Sequence, residues 1–121
     1  MIGILLVHGH PYIVKMLKTQ IELESDMRII GEISGDIPVE KISLHSDPDV
    51  IVNDIDTPDM DGLEITRSLR RIFPNTPLIL LSMSDDEALR NEYLSAGGTR
   101  FIAKESDTGD FLAAIREATK G

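Results

Sequence analysis

Three polar residues whose side chains could do chemistry each follow a short apolar run: Asp54, Ser82 and Lys104. A carboxylate at the end of a strand is a candidate nucleophile or metal ligand. Taken singly, each residue also has an ordinary structural interpretation, in which Asp54 and Ser82 cap turns or helices and Lys104 is solvated. Three consecutive strand ends of a parallel sheet meet at one crevice, so the order carboxylate, hydroxyl, ammonium favours a shared site.

The elements that must position these residues are apolar runs that alternate with segments of helical periodicity. Five runs resemble strands, and they are Ile2–Val7, Met27–Ile33, Val50–Asp54, Leu78–Ser82 and Arg100–Ala103. Continuous apolar runs of this length are typical of strands that are buried on both faces of a parallel sheet. Their alternation with helices predicts an α/β fold, a doubly wound five-stranded parallel sheet with helices on both faces.

Helix-start signals separate the apolar runs. They lie at Pro11, Asp61, Ser84 and about Asp107. Proline is favoured in the first turn of a helix, and Asp61 and Ser84 are each followed three residues later by a glutamate, the spacing of a capping box. Residues 35–49 fit a short helix only loosely.

Composition narrows the class of protein. The chain has 121 residues, which suits one domain spanning residues 1–121. Its formal charge of −9 argues against direct binding to nucleic acid or to an anionic membrane surface. There is no cysteine, and the apolar start is too short to span a bilayer and lacks the features of a signal peptide. We expect a cytoplasmic protein.

Several motifs together resemble the receiver domains of two-component response regulators, over essentially the whole chain. They are Val7-His8-Gly9-His10-Pro11, Asp54 with Pro58-Asp59-Met60-Asp61-Gly62, Leu81-Ser82, Ala96-Gly97-Gly98 and Phe101-Ile102-Ala103-Lys104. The run from Met60 to Glu64 and the strand from Pro77 to Ser82 look closest to the LuxR-type branch, in which a DNA-binding helix-turn-helix follows the receiver. The resemblance implies the strand order 2-1-3-4-5.

The resemblance also implies a role for each site residue. Asp54 would be the phosphoacceptor, and Ser82 would be the switch hydroxyl that turns toward the phosphoryl group. Lys104 would pair with that group, Phe101 would be the switch aromatic of the fifth strand, and the Asp56 carbonyl would face a metal ion. A lysine and a divalent cation are suited to neutralising the charges of an anionic nucleophile and an anionic donor.

The chain departs from the family at the end of the first strand. The family has two adjacent acidic residues there that hold Mg²⁺, whereas this sequence has His8 and Gly9. Mg²⁺ requires near-octahedral oxygen ligands, so we expect no resident cofactor, or Mg²⁺ bound only weakly through Asp54 and Asp56. With less repulsion from neighbouring acids, Asp54 should be ionised and within about 6 Å of Lys104.

Two alternatives for the altered site stay open. Carboxylates of Asp56 and Asp59 could replace the missing acids, although we expect these side chains to face solvent or to cap the following helix. His8 and His10 could instead hold a transition metal with Asp54, although the Pro11 that follows disturbs the extended geometry such a pair needs.

Two functional hypotheses follow, and neither is an enzyme. In the first, a histidine kinase phosphorylates Asp54 in a conventional switch that controls a DNA-binding output domain. In the second, which we favour, the altered pair His8 and Gly9 leaves an atypical receiver that acts through protein–protein contacts. A C-terminal DNA-binding domain outside this chain, another signalling protein and a second copy of the chain are the expected partners.

Overall fold

Five strands and four helices are seen in the computed structural model, which describes residues 1–8, 11–34, 47–56, 61–84, 86–104 and 108–120, without the side chains of 11–14, 34 and 108. The strands are β1 (Ile2–His8), β2 (Met27–Ser34), β3 (Val50–Asp54), β4 (Leu78–Ser82) and β5 (Arg100–Ala103). The helices are α1 (Pro11–Glu22), α2 (Gly62–Ile72), α3 (Glu87–Ser95) and α4 (Thr108–Ala118). Within these ranges, no helix is long and apolar enough to cross a membrane.

The strands form one parallel sheet in the order β2-β1-β3-β4-β5, which confirms the predicted order. Asp54 pairs in register with Leu81, and Ser82 pairs with Ala103, the residue before Lys104. The carboxyl ends of β3, β4 and β5 therefore meet at one edge of the sheet. Asp54 and Ser82 end β3 and β4 there, and Lys104 directly follows β5.

Two apolar clusters cover the two faces of the sheet. Alternate residues of each central strand point into opposite clusters, so β1, β3 and β4 are buried almost throughout. One cluster contains Ile21 of α1 and Ile115 of α4, and the other contains Leu69 of α2 and Tyr93 of α3. Burial on both faces explains why these strands read as continuous apolar runs in the sequence.

The register between β1 and β2 shifts by one residue between Ile4 and Leu5. Ile4 pairs with Ile29, but Leu5 pairs with Gly31, so Ile30 is an extra residue in β2. A methyl group on Gly31 would lie 2.9 Å from Leu5 Cδ1. The glycine therefore leaves room for the Leu5 side chain where the register shifts.

The observed helix starts agree with the predicted ones at Pro11 and Asp61 and differ at Ser84. Asp61 caps α2, accepting hydrogen bonds from the backbone N–H groups of Leu63 and Glu64, as predicted. The prediction that Ser84 caps α3 is wrong, because Asp86 caps it and Ser84 Oγ accepts from the backbone of Asp86. Asp107 and residues 35–46 lie outside the described residues.

Arg70, near the end of α2, joins α2 to the loop before β4 and to the turn between α3 and β5. Its guanidinium donates to the carbonyls of Phe73, Thr76 and Gly97 at 2.8–3.0 Å. Partial burial lowers the pKa of Arg70 from its ordinary value. Gly97 has φ of 129°, and a methyl group there would lie 2.8 Å from Arg70 Cβ, so only glycine suits this turn.

We expect Arg70→Ala to lower the free energy of unfolding by about 2–3 kcal/mol, because several backbone carbonyls lose a charged donor. Urea denaturation monitored by circular dichroism measures the change. The matched control is Arg71→Ala, since Arg71 is exposed and donates to Ser68 one turn away. Equal effects of the two substitutions would show that Arg70 does not link these segments.

Candidate functional site

A buried ion pair between Asp54 and Lys104 lies at the centre of the site. Asp54 is 2% exposed at the end of β3, and its Oδ1 lies 2.7 Å from Lys104 Nζ. Asp54 Oδ1 also accepts the backbone N–H of Asp56 at 2.9 Å. The distance agrees with the expectation that Lys104 would reach Asp54. A buried carboxylate is stable only beside a counter-charge, and Lys104 supplies it.

The position of Lys104 follows from the pairing of β4 with β5. Its backbone N–H donates to the Ser82 carbonyl at 2.7 Å, one residue beyond the Ser82–Ala103 pair. This bond continues the strand ladder past β5 and brings the lysine stem to the end of β3. The carboxylate, hydroxyl and ammonium groups of Asp54, Ser82 and Lys104 thus lie in one cluster, as their order along the chain predicted.

Asp56 contributes its side chain to the cluster, which corrects the expectation that this carboxylate would face solvent or cap a helix. Asp56 Oδ1 accepts from Ser82 Oγ at 3.1 Å, and Oδ2 accepts from the Met83 backbone N–H at 2.6 Å. Oδ2 also lies 2.9 Å from Lys104 Nζ. The bend after β3 thus places a second carboxylate beside the same ammonium as Asp54.

Phe101 of β5 lies on the sheet face covered by α2 and α3. It is partly buried, and its ring centroid is 6.3 Å from that of Tyr93. The Arg90 guanidinium lies 5.8 Å from the Phe101 ring centroid, within the range of a cation–π contact. The ring therefore couples β5 to α3, next to the strand end that carries Lys104.

His8 makes its observed contact with Glu32 of β2, so its imidazole is bound on the side of the site away from β3. His8 Nε2 lies 3.0 Å from Glu32 Oε1, and Lys18 Nζ of α1 donates to Glu32 Oε2 at 2.9 Å. Lys18, and secondarily His8, hold the pKa of Glu32 below its ordinary value. Sequence reasoning missed Glu32 and Lys18, although a glutamate inside the apolar run of β2 was a signal.

At this site, few carboxylate oxygens of the described residues are free to bind a cation. Asp54 Oδ2 is buried and has no hydrogen-bond partner among these residues, whereas both oxygens of Asp56 are engaged. Nowhere in the described part of the chain are three or more His, Asp or Glu side chains grouped so that they could hold one metal ion. Gly9, His10 and Asp59 lie outside the described residues, so their proposed roles stay predictions.

A parallel sheet in this order with a carboxylate, a hydroxyl and a lysine at its carboxyl edge defines the class of signal-receiver domains. A family model for the response regulator receiver domain matches residues 4–116, and the chain belongs to that family. Its relatives include response regulators of the NarL type. The domain is a signalling domain rather than an enzyme.

Three known proteins illustrate the similarity. The chain is 30% identical to the transcriptional regulatory protein LiaR of Bacillus subtilis (strain 168), over 100% of this chain and 57% of LiaR. It is 26% identical to the receiver domain of the putative response regulator NarL from Mycobacterium tuberculosis, with a TM-score of 0.85 and coverage of 99% and 97%. For the response regulator domain of Thermotoga maritima CheB, the identity is 28%, the TM-score 0.84 and the coverage 100% and 98%.

The chain spans about half the length of the curated relatives that it matches. The similarity to these relatives therefore concerns only about half of each of them.

We expect Lys104→Met to lower the free energy of unfolding by about 3–5 kcal/mol, because it leaves the Asp54 carboxylate buried without its counter-charge. Adding Asp54→Asn should recover much of the loss, and urea denaturation of the single and double variants measures it. Arg100→Met is the control, since the Arg100–Glu117 pair is more than half exposed and should contribute about 0–1 kcal/mol. If Lys104→Met lowered the free energy of unfolding no more than Arg100→Met does, a buried ion pair between Asp54 and Lys104 would be contradicted.

We expect Lys18→Met to raise the pKa of Glu32, because the hydrogen bond and charge that lower it are removed. A carboxyl whose folded-state pKa is lowered contributes stability above its ordinary value of 4.5, and that stability is lost as the pH falls through the folded-state pKa. The variant should therefore be less stable than wild type at neutral pH, and the difference should disappear in acid. Carbon-13 NMR titration of Glu32 measures the pKa, with Lys15→Met on the same helix as the control.

Proposed function

We propose that this receiver acts mainly through protein–protein contacts, with weak or no Mg²⁺-dependent phosphorylation, in a cytoplasmic transcriptional regulator. The observation that carries the proposal is the altered end of β1. His8 and Gly9 stand where the family has its acidic pair, and the His8 imidazole is bound to Glu32. Neither residue offers the carboxylate oxygens that Mg²⁺ prefers.

The charge balance around Asp54 supports weak phosphorylation. Two carboxylates, those of Asp54 and Asp56, share one ammonium, so these three groups together carry a net negative charge. An anionic phosphodonor approaching Asp54 meets this charge, and a bound divalent cation is the usual means of offsetting it. The chain's own residues supply only Lys104 for that purpose among those described.

The similarity to transcriptional regulatory proteins supports a role in the control of transcription. LiaR of Bacillus subtilis and DegU of Brevibacillus brevis are transcriptional regulatory proteins, and this chain corresponds to about half of each. We therefore propose a DNA-binding output domain outside this chain and a histidine kinase or another signalling protein as partner. In this setting the receiver passes its state to the output domain through its surface.

A conventional switch is the second candidate, because the central residues are in place. Asp54, Ser82 and Lys104 lie together at the carboxyl edge of the sheet, and Phe101 lies within β5. In this candidate function Asp54 would be the phosphoacceptor and Lys104 its cationic partner. Ser82 would be the switch hydroxyl and Phe101 the switch aromatic. Asp54 Oδ2 has no partner among the described residues. That oxygen is the one a phosphodonor would meet if Asp54 reacts.

A rescue experiment separates the two candidates. We expect His8→Asp with Gly9→Asp to accept a phosphoryl group on Asp54 from a small acyl phosphate at least about tenfold faster than wild type in Mg²⁺, equivalent to ~1.4 kcal/mol of barrier. Two new carboxylates restore oxygen ligands for the cation that offsets the charge. Intact mass spectrometry measures incorporation, and EDTA should abolish the gain.

Controls link the gain to charge and to Asp54. The neutral pair His8→Asn with Gly9→Asn should behave like wild type, and Asp54→Asn in the rescued protein should remove incorporation. If wild type is phosphorylated on Asp54 as fast as the rescued protein, the conventional switch is correct. If neither protein reacts, the missing acids are not the cause of the weak phosphorylation.

A further inference from the structure

Three donors from two strand ends converge on the carboxylate of Asp56. The Ser82 hydroxyl and the Met83 backbone N–H come from the end of β4, and the Lys104 ammonium follows β5. Their distances to the Asp56 oxygens are 3.1, 2.6 and 2.9 Å. A hydroxyl, a backbone amide and an ammonium around one anion form an oxyanion-binding arrangement, which we call the donor cradle.

The donor cradle is fixed by the fold and is open on one side. Ser82 is fully buried, and the Lys104 backbone N–H donates to the Ser82 carbonyl, so the fold fixes the backbone positions from which these two donors extend. The Asp56 side chain is 30% exposed, and Met83 is 60% exposed. An anion from solvent could therefore enter the cradle if the Asp56 carboxylate were absent.

We propose that the Asp56 carboxylate is a built-in anion that occupies the cradle which a phosphoryl group on Asp54 would require. This inference rests on the proposed function, because it takes Asp54 as the position at which a phosphoryl group would form. Asp54 lies 2.7 Å from the same Lys104 ammonium, so a group on Asp54 would compete with Asp56 for that donor. The Ser82 hydroxyl is thereby held inward without phosphorylation.

The proposal gives Asp56 a role different from its backbone role in the family resemblance. A carboxylate and a phosphoryl group both present oxygens that accept charge-assisted hydrogen bonds. The internal carboxylate has the advantage of being tethered, so it fills the cradle at a high effective concentration. The site is therefore constitutively filled, and an incoming oxyanion must displace Asp56.

Inorganic phosphate is the probe, and Asp54→Asn is the parent protein in every measurement. This background cannot form an acyl phosphate, and it removes a carboxylate that would repel the probe. The readout is the Met83 amide signal in proton–nitrogen NMR spectra, with sodium chloride at equal ionic strength as the reference. The result is therefore independent of whether Asp54 is phosphorylated in wild type, which the rescue experiment measures separately.

We expect phosphate to leave the Met83 amide of the parent unchanged and to shift it saturably after Asp56→Ala is added. Adding Ser82→Ala as well should weaken phosphate binding about tenfold, equivalent to ~1.4 kcal/mol, because one donor of the cradle is lost. A parent that binds phosphate as tightly as the Asp56→Ala protein would overturn the proposal. So would a folded Asp56→Ala protein whose Met83 amide does not respond.

Asp56→Asn covers the case in which the alanine variant does not fold. The amide keeps the shape of the carboxylate and can accept from Met83, but it has no charge to hold Lys104. Phosphate should displace it more readily than the carboxylate, so this variant should respond at lower phosphate concentrations than the parent. An unchanged response, with thermal unfolding showing a folded protein, would contradict a built-in anion.

Discussion

The Lys104 ammonium, buried between two carboxylates, is the group on which the arrangement of this site depends. Asp54 is 2% exposed, and a carboxylate in such a position requires a counter-charge close by. The lysine reaches it because the ladder between β4 and β5 continues one residue past the last strand pair. Strand register, which is set by the apolar core on both faces of the sheet, thus decides where the charge lies.

The second carboxylate changes what this ammonium can do. In a site with one carboxylate, the ammonium and the hydroxyl at the end of β4 would be free to meet an incoming anion. Here Asp56 engages both of these donors and the Met83 amide, while His8 is bound to Glu32. The Asp54 carboxylate, the Ser82 hydroxyl and the Lys104 ammonium therefore contact groups of the chain itself.

The positions of the strands could be predicted from the sequence more completely than the directions of individual side chains. The five apolar runs predicted the strands, because β1, β3 and β4 are buried on both faces and therefore have continuous apolar sequences. The strand β5 also lies at the predicted Arg100–Ala103, although only Ile102 of its residues is buried. The convergence of Asp54 and Lys104 followed from topology. The direction of the Asp56 carboxylate did not, since it depends on how the chain bends after β3. That Asp86 rather than Ser84 caps α3 was not predicted, because the sequence alone does not decide between neighbouring capping residues.

The extra residue Ile30 in β2 determines which side of the sheet the second half of that strand presents to α1. Paired residues on neighbouring strands share a face, and the shift pairs Leu6 with Glu32 and His8 with Ser34. Glu32 therefore points to the same side as His8, where Lys18 can reach it. In an uninterrupted ladder Glu32 would pair with Val7 and enter the apolar cluster of α2 and α3. The single inserted residue thus directs Glu32 away from the apolar cluster, to a position where it contacts His8 of β1 and Lys18 of α1.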